Sequence, residues 1–296
     1  MADPPTSQGP PASDGARALR PARALIGWME PEVAERALLQ YRVGGPPDPA
    51  ALARVQSARA AVLTRSEGVD QASLIHDAPS ELRSHLSRLS DFPGAAAYFK
   101  EGWSVKTVDL PRVAAFQPQV FISSASERVR HAKAGDLPTL AELALPTANL
   151  SEALAPTFDP RQQAWSASSS NPNLRIVGNV AGPLEGIPPG SIALGFFVAL
   201  LPSFMQVARF QGRYFLRDGY HRALGLLMAG ITRVPAFVND VPEIERLAPP
   251  GMLPQAAFLG NRPPTLQDYL DDTVAASVQA PSTRKLVLVQ GIELNI

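Results

Sequence analysis

Cysteine is absent from this sequence of 296 residues, and its absence excludes several kinds of chemistry. Without a thiol the chain cannot form a disulfide, bind a metal through a thiolate or use a cysteine nucleophile. Histidine is scarce as well, and no two histidines stand four residues apart, as they would in a helical zinc site. We therefore expect no histidine-rich metal centre. The histidines are His76, His85, His131 and His221.

The chain also lacks net charge, because 27 lysines and arginines balance 27 aspartates and glutamates. This balance gives no overall attraction toward nucleic acid or an anionic membrane, so any site for a polyanion has to be local. Long hydrophobic runs are missing too: the most apolar stretch, 192–205, contains Pro202 and is shorter than the roughly 20 residues that span a bilayer. We expect a soluble, cytoplasmic protein with no membrane partner, for which nucleic acid is a disfavoured partner.

What is present indicates a folded protein with a substantial core. Hydrophobic residues make up 45% of the chain, which at this length suffices for one large domain or two modest ones. We divide the sequence into a disordered tail, a helical region, an α/β domain with a large insertion, and a C-terminal extension that packs on the core. The ranges are 1–20, 21–102, 103–243 with the insertion at about 123–190, and 244–296. The helical region would cover the functional site or bind a protein partner.

Apolar spacing and proline positions predict the elements along the chain. Helices are predicted over 31–44, 49–67, 80–89, a short segment after Pro93, and 265–275. Strands are predicted over 105–110, 116–121, 174–180 and 285–290. The insertion is predicted to be rich in loops because its small polar and Pro/Gly runs break regular structure. The stretch 192–205 is predicted to be a buried strand or helix beside the site.

Residues 210–238, FQGRYFLRDGYHRALGLLMAGITRVPAFV, carry the clearest functional signal. Their pattern predicts a strand, a tight turn at Asp218 and Gly219, a helix that ends at a glycine, and a second strand. The first N–H groups of a helix have no main-chain acceptor and lie at the positive end of the helix dipole, so they favour an anion. His221 and Arg222 add donor side chains at this helix start. The segment therefore predicts a phosphate-binding turn.

The same residues resemble a motif of the ParB/sulfiredoxin fold superfamily, in which a Gly-x-His-Arg or Gly-x-x-Arg turn joins a strand to a helix. The matching positions are Gly219, Tyr220, His221, Arg222, Ala229, Gly230, Val234, Pro235 and Val238. Upstream, VDLPRVAAFQPQVF at 108–121 is similar to a second landmark, a strand followed by a Gln-Pro loop before an aromatic residue. The resemblance covers about 103–240. It implies an α/β (α+β) fold with a mixed sheet, preceded here by the helical region.

In this superfamily the residue pair at the helix start holds nucleotide phosphates. The resemblance therefore implies a nucleoside triphosphate or diphosphate (ATP, ADP or CTP) with Mg²⁺, or another phosphorylated small molecule. Arg222 is the implied phosphate ligand, and His221 is the second. Gly219 and Tyr220 belong to the same nucleotide-binding turn, and Tyr220 could stack on a base or ribose. Gln117 could reach a nucleotide sugar or base through its amide, and Arg217, on the preceding strand, could reach the same anion.

Catalysis at this turn would depend on the role of Asp218. A carboxylate beside bound phosphates could accept a proton from an attacking hydroxyl or water, or bind the magnesium ion. At the turn the sequence resembles the free-serine kinases of the superfamily, which carry Asp-Gly-His-His-Arg, so Asp218 and His221 are the candidate catalytic residues. The second acidic residue of those kinases would have to be Asp109 or Glu127. The sulfiredoxin reaction is excluded, because Tyr220 stands where that reaction needs a cysteine.

Simpler interpretations stay open for the same residues. Asp-Gly is a common turn dipeptide in which the Asp side chain bonds main-chain N–H groups. Arg222 could be a surface arginine that pairs with Asp218, and Tyr220 could be a lid packed over the core. Three functions follow. The first is a nucleotide-dependent phosphotransferase or nucleotide hydrolase, the second a non-catalytic nucleotide-gated binding or regulatory module, and the third, less favoured, a DNA-associated accessory protein.

Overall fold

The structure is a computed structural model that describes residues 18–40, 48–149, 153–171, 173–182, 186, 188, 191–282 and 284–291. Within these ranges the chain has a mixed α/β (α+β) architecture, as predicted. The predicted disordered tail lies outside the described residues up to position 17. Every helix in the described ranges is too short or too polar to cross a lipid bilayer.

Helices and strands alternate irregularly along the chain. The α-helices are α1 (Pro31–Leu38), α2 (Pro49–Leu63), α3 (Arg83–Asp91), α4 (Pro93–Lys100), α5 (Ile122–Val129), α6 (Leu137–Ala144), α7 (Tyr220–Met228), α8 (Ile244–Leu247) and α9 (Gln255–Phe258). The strands are β1 (Leu19–Ala24), β2 (Ile75–Asp77), β3 (Ser104–Asp109), β4 (Gln119–Phe121), β5 (Thr157–Asp159), β6 (Ala164–Ser169), β7 (Leu174–Gly182), β8 (Ala193–Leu200), β9 (Gln206–Phe210), β10 (Arg213–Asp218), β11 (Arg233–Asp240), β12 (Ala276–Pro281) and β13 (Lys285–Gln290).

A five-stranded mixed sheet, in the order β10-β9-β11-β3-β2, carries the sequence motif. β9 and β11 run parallel, and the other neighbours run antiparallel. Gln211 and Gly212 have φ values of 48° and 78° and turn β9 into β10, so the single strand predicted from residue 210 is in fact the second half of a hairpin. α7 then leads from β10 back to β11, and its end before Gly230 confirms the predicted strand, turn, helix and strand.

A second sheet, in the order β12-β1-β4, joins distant parts of the chain. Leu19 lies opposite Pro281, and Ala24 lies opposite both Ala276 and Gln119. We predicted no strand at β1, and this pairing corrects both the predicted extent of the tail and the purely helical character of 21–102. The segment LRPARA has little β propensity of its own, and main-chain bonds to strands on both sides hold it extended.

The predicted insertion is more regular than expected, because it contains most of α5 together with α6 and β5–β7. β5 and β6 form a sheet with β13, and β7 pairs with β8 as a separate two-stranded sheet. The prediction that 192–205 is buried was wrong for β8, most of whose side chains are exposed or half-buried. Only β7 covers β8 among the described elements, which explains this exposure.

One hydrophobic core nevertheless connects the regions. It contains Val55 from α2, Leu89 from α3, Phe237 from β11 and Tyr269 from the C-terminal extension, all of them buried. The predicted helix at 265–275 was wrong: it is a 3₁₀ turn over Leu266–Leu270 followed by β12. The other predicted helices are present, with α1 and α2 ending earlier than predicted.

Close packing of α5 on α7 yields a stability prediction. A Cβ added at Gly225 of α7 would lie 2.9 Å from the carbonyl carbon of Ala125 and 2.9 Å from Cγ2 of Val129. Although alanine favours a helix over glycine by about 1 kcal/mol, we expect Gly225→Ala to lower the free energy of unfolding by about 2 kcal/mol through overpacking. Urea denaturation measures this. Gly182→Ala on β7 is the control, because its Cβ meets no atom within 4 Å; equal effects of the two changes would contradict the prediction.

Candidate functional site

A cavity of about 570 Å³ opens at the end of β10, beside the start of α7. Its walls come from several separate parts of the chain. They include β1, the loop before β4, α5, the β6–β7 connection, the turn before α7 and the β12–β13 connection. Of the residues that the sequence predicted for the site, six line this cavity: Gln117, Asp218, Gly219, Tyr220, His221 and Arg222.

The turn that forms the floor of the cavity depends on Gly219. This residue has φ of 103°, a left-handed conformation that glycine adopts without strain. A Cβ at this position would also lie 3.2 Å from Cγ of Met205. The N–H of Gly219 donates to Oδ1 of Asp218 at 2.6 Å, which is the simple turn interaction considered above. No described side chain caps the start of α7, so the first N–H groups of this helix remain available toward the cavity.

Arg222 is buried, with 4% of its surface exposed, and its donors are largely used within the protein. Nη1 donates to the carbonyl oxygens of Leu143 (3.2 Å), Ala144 (3.3 Å) and Ser203 (2.6 Å), and Nη2 donates to Oγ of Ser203 (3.1 Å). Burial lowers the pKa of Arg222 to about 10, so the group stays charged at neutral pH. Sequence reasoning named Arg222 as the first phosphate ligand. These bonds anchor Arg222 to the end of α6 and the segment before β9, while its buried Nε has no partner among the described residues and the residue still lines the cavity.

His221 lies between the aromatic and the cationic parts of the cavity wall. Its ring is parallel to the ring of Phe121 within 5°, with centroids 6.1 Å apart. Its Nε2 is buried and has no hydrogen-bond partner among the described residues. Burial, reinforced by the positive charges of Arg128, Arg20 and Arg222, lowers the pKa of His221 to about 4. The imidazole is therefore neutral at pH 7 and can accept or donate one hydrogen bond to a ligand.

Tyr220 and Gln117 tie the two sequence landmarks together. The hydroxyl oxygen of Tyr220 accepts a hydrogen bond from the N–H of Phe116 at 3.0 Å, and burial raises the pKa of this hydroxyl well above its usual value. Only 4% of Tyr220 is exposed, which is the packed lid that we considered as its simpler role. Nε2 of Gln117 donates to the carbonyl of Gln119 at 2.8 Å, so this amide anchors its own loop at the cavity wall.

Arg217, also predicted at the ligand, does not line the cavity. Its Nε donates to the carbonyl of Arg246 at 2.8 Å, its Nη1 donates to Oε1 of Gln206 at 2.7 Å, and its guanidinium lies over the ring of Trp103. β10 is irregular between Leu216 and Asp218, so the regular alternation of strand side chains does not hold at Arg217. Asp109 and Glu127, the candidates for the second acidic residue of the kinases, both form ion pairs outside the cavity. Asp109 pairs with Arg112, and Glu127 pairs with Arg130.

Sequence reasoning missed most of the cations of the cavity. Arg128 on α5 is half-buried, and it makes no hydrogen bond or ion pair with any described residue. Burial lowers its pKa, and the charge of Asp218 opposes that shift. Arg20 lies 5.1 Å from the centre of the Phe121 ring and donates to the hydroxyls of Ser123 and Ser124, each at 2.8 Å. The exposed side chains of Arg284 and Lys285 complete the set.

The cavity is strongly positive within a chain of zero net charge. Its described lining has five cationic side chains and a single carboxylate, that of Asp218. No three acidic or histidine side chains of the described residues lie together in a way that could hold a metal ion. This donor set suits a ligand that carries several negative charges.

Comparison with known proteins returns no match: no family model and no curated protein matches the sequence, and no solved structure matches the fold.

Arg222, which is buried, and Arg128, which is half-buried, should respond differently to substitution. We expect Arg222→Gln to lower the free energy of unfolding by about 3 kcal/mol, because it strips several carbonyls of their donor. We expect Arg128→Gln to change it by less than about 1 kcal/mol, since no described group depends on this guanidinium. Urea denaturation of both variants measures the difference. An equal loss would show that Arg128 also holds the fold together.

His221 gives the stability of the protein a dependence on pH. Its pKa of about 4 in the folded state lies below the unfolded value of about 6.5, so the unfolded chain takes up a proton first as the pH falls. The neutral His221 side chain therefore contributes about 3 kcal/mol to the free energy of unfolding. This contribution is complete above pH 6.5 and is lost as the pH falls toward 4. We expect His221→Gln to lose less stability than the wild type over this range in urea titrations at several pH values. Parallel curves would contradict this.

Proposed function

We propose that this protein binds a phosphorylated small molecule, with a nucleotide as the first candidate, in the cavity at the start of α7. The observation that carries the proposal is Arg128. Its guanidinium is half-buried and makes no hydrogen bond or ion pair with a described residue, so a ligand in the cavity can supply acceptors that the described protein groups do not. Phosphate oxygens match the planar fork of an arginine donor.

The surroundings of Arg128 support a phosphate rather than a neutral ligand. Arg20 approaches from β1, Arg284 and Lys285 approach from the opposite connection, and the uncapped start of α7 contributes main-chain donors. The volume of about 570 Å³ lies within the roughly 300–1,000 Å³ range of small-molecule sites. The resemblance to the ParB/sulfiredoxin superfamily, carried by residues 108–121 and 219–238, points to the same class of ligand.

Recognition of the ligand would rest on its phosphates and hydroxyls more than on a base. The ring of Phe121 is already engaged by Arg20 and His221, and Tyr220 is buried, so among the described lining residues no aromatic ring is free to stack on a base. Ser124, Ser203 and Asn173 offer hydroxyl and amide groups instead. We therefore expect little discrimination between ATP and CTP.

Phosphoryl transfer or hydrolysis is the second candidate function, favoured by the position of Asp218. This carboxylate lines the cavity, and one oxygen is held by the N–H of Gly219, so its other oxygen could accept the proton of an attacking hydroxyl or water. Mg²⁺ supplies charge neutralisation in such reactions. Asp218 is the protein group that would contact it, with the phosphates as its other ligands. A single carboxylate fits this mode of binding and does not fit a cation held by protein alone.

Ligand binding can be tested by thermal shift and calorimetry with ATP, ADP, CTP, GTP and pyrophosphate, each with and without Mg²⁺. We expect stabilisation by at least one of these polyphosphates, and Arg128→Gln should weaken its binding by at least about tenfold. Arg130→Gln is the matched control, because Arg130 stands two residues further along, is exposed and pairs with Glu127. Absence of any shift in the wild type, or equal weakening in both variants, would overturn the proposal.

Catalysis is tested separately with Asp218→Asn and the nucleotide that binds. Product formation by the wild type, lost in a variant that still binds, would assign Asp218 as the base or the metal contact. Binding without product in the wild type would leave a ligand-gated module, in which capture of the ligand alters a protein interface.

A further inference from the structure

The hairpin of β7 and β8 exposes large apolar side chains on both faces. These side chains are between 38% and 74% exposed, and they include Ile176, Val177, Val180, Ile192, Leu194, Phe196 and Phe197. Register places Leu194 and Phe196 on one face, and Val180 and Phe197 on the other. An isolated two-stranded hairpin is marginally stable in water. Apolar groups on both of its faces make an uncovered state costlier still.

β8 is also an open sheet edge without protection. Its sequence, ALGFFVAL, contains no charged residue and no proline, and its outer edge meets no other described strand. β7 differs, because it carries Arg175, has an irregular register between Ile176 and Gly178, and lies beside β13. Charges, prolines and bulges are the devices that keep edge strands from pairing with other chains. Their absence from β8 alone marks the edge that is suited to pairing.

The open edge and the apolar faces together restrict what can cover this hairpin. A lipid surface would bury the side chains but leave the N–H and C=O groups of β8 without partners. A charged partner is disfavoured because Arg175 is the only charge on either strand. A strand of the same kind satisfies both needs. Edge pairing would bring the exposed β8 side chains Leu194, Phe196 and Phe197 beside the same residues of a second strand, while its main chain supplies partners for the open N–H and C=O groups.

We propose that the protein forms a dimer in which β8 pairs antiparallel with β8 of a second copy. A two-fold axis between identical strands gives a closed interface, because each copy presents the same surface to the other. Phe196 and Phe197 stand at the middle of the strand, so this pairing places aromatic side chains beside the axis. The root of the hairpin reaches the cavity, since Asn173 lines it and its carbonyl accepts from the N–H of Leu201. The dimer would thus also hold one wall of the cavity.

The oligomeric state of the full chain tests this proposal. Light scattering or sedimentation over a wide range of protein concentration should give the mass of a dimer for the wild type. Leu194→Lys should raise the dissociation constant of the dimer by at least about tenfold, because it places a charge in the interface. Leu63→Lys on α2 is the matched control: Leu63 is 69% exposed, against 61% for Leu194, and it lies outside the hairpin. A cooperative unfolding transition in each variant would show that both variants fold.

The absence of native cysteine allows a direct check by cross-linking. Phe196→Cys or Phe197→Cys should form an intermolecular disulfide under mild oxidation, whereas Leu63→Cys should form none and should run as a monomer on a denaturing, non-reducing gel. A wild type that is monomeric at every concentration would overturn the proposal. So would a dimer that Leu194→Lys and Leu63→Lys affect equally, or a monomer that binds lipid vesicles through the hairpin.

Discussion

Burial of the Arg222 guanidinium constrains the whole site. A charge out of water is tolerated only while its hydrogen-bond acceptors keep their positions. Those acceptors are the carbonyls at the end of α6 and just before β9, whereas the arginine itself belongs to the first turn of α7. Three elements that are distant in sequence are thereby fixed together, and the turn at Asp218 and Gly219 is fixed with them. The rigid wall that results allows the neighbouring cations to hold their positions without contacting one another.

Two different arginines, Arg222 and Arg128, have different contacts at this cavity. Arg222 is anchored by several carbonyls, whereas Arg128, which makes no hydrogen bond or ion pair with a described residue, comes from α5, and α5 packs directly on α7. Neutral His221 and the exposed pair Arg284 and Lys285 add donors of different strength around the same space. A preorganised set of donors of this kind binds an anion without having to rearrange, which lowers the entropic cost of binding.

Local patterns predicted the parts of the fold that local physics determines. The left-handed turn at Gly219, the helix that follows it and the strand β11 were all recognisable, because glycine, apolar spacing and a glycine stop act within a few residues. β1 could not be recognised, since its strand conformation comes from partners at the far end of the chain. Arg128 was missed for a related reason: it looks like any arginine in the last turn of a helix, and only the packing of α5 brings it to the cavity. The predicted position of Arg217 was wrong because the prediction assumed that the side chains of its strand alternate regularly.

The pairing of β1 with β12 has a consequence for how the protein acquires its binding site. Arg20 and Lys285 reach the cavity only after the two ends of the described chain have met, and closing so long a loop is entropically costly and slow. The strand, turn and helix around 218–222 contain contacts that are close in sequence and would form early, whereas the bonds of Tyr220 to Phe116 and of Arg222 to Ala144 would form later. A chain still emerging from synthesis therefore carries the recognisable motif before it has a site, and ligand capture would report completion of folding.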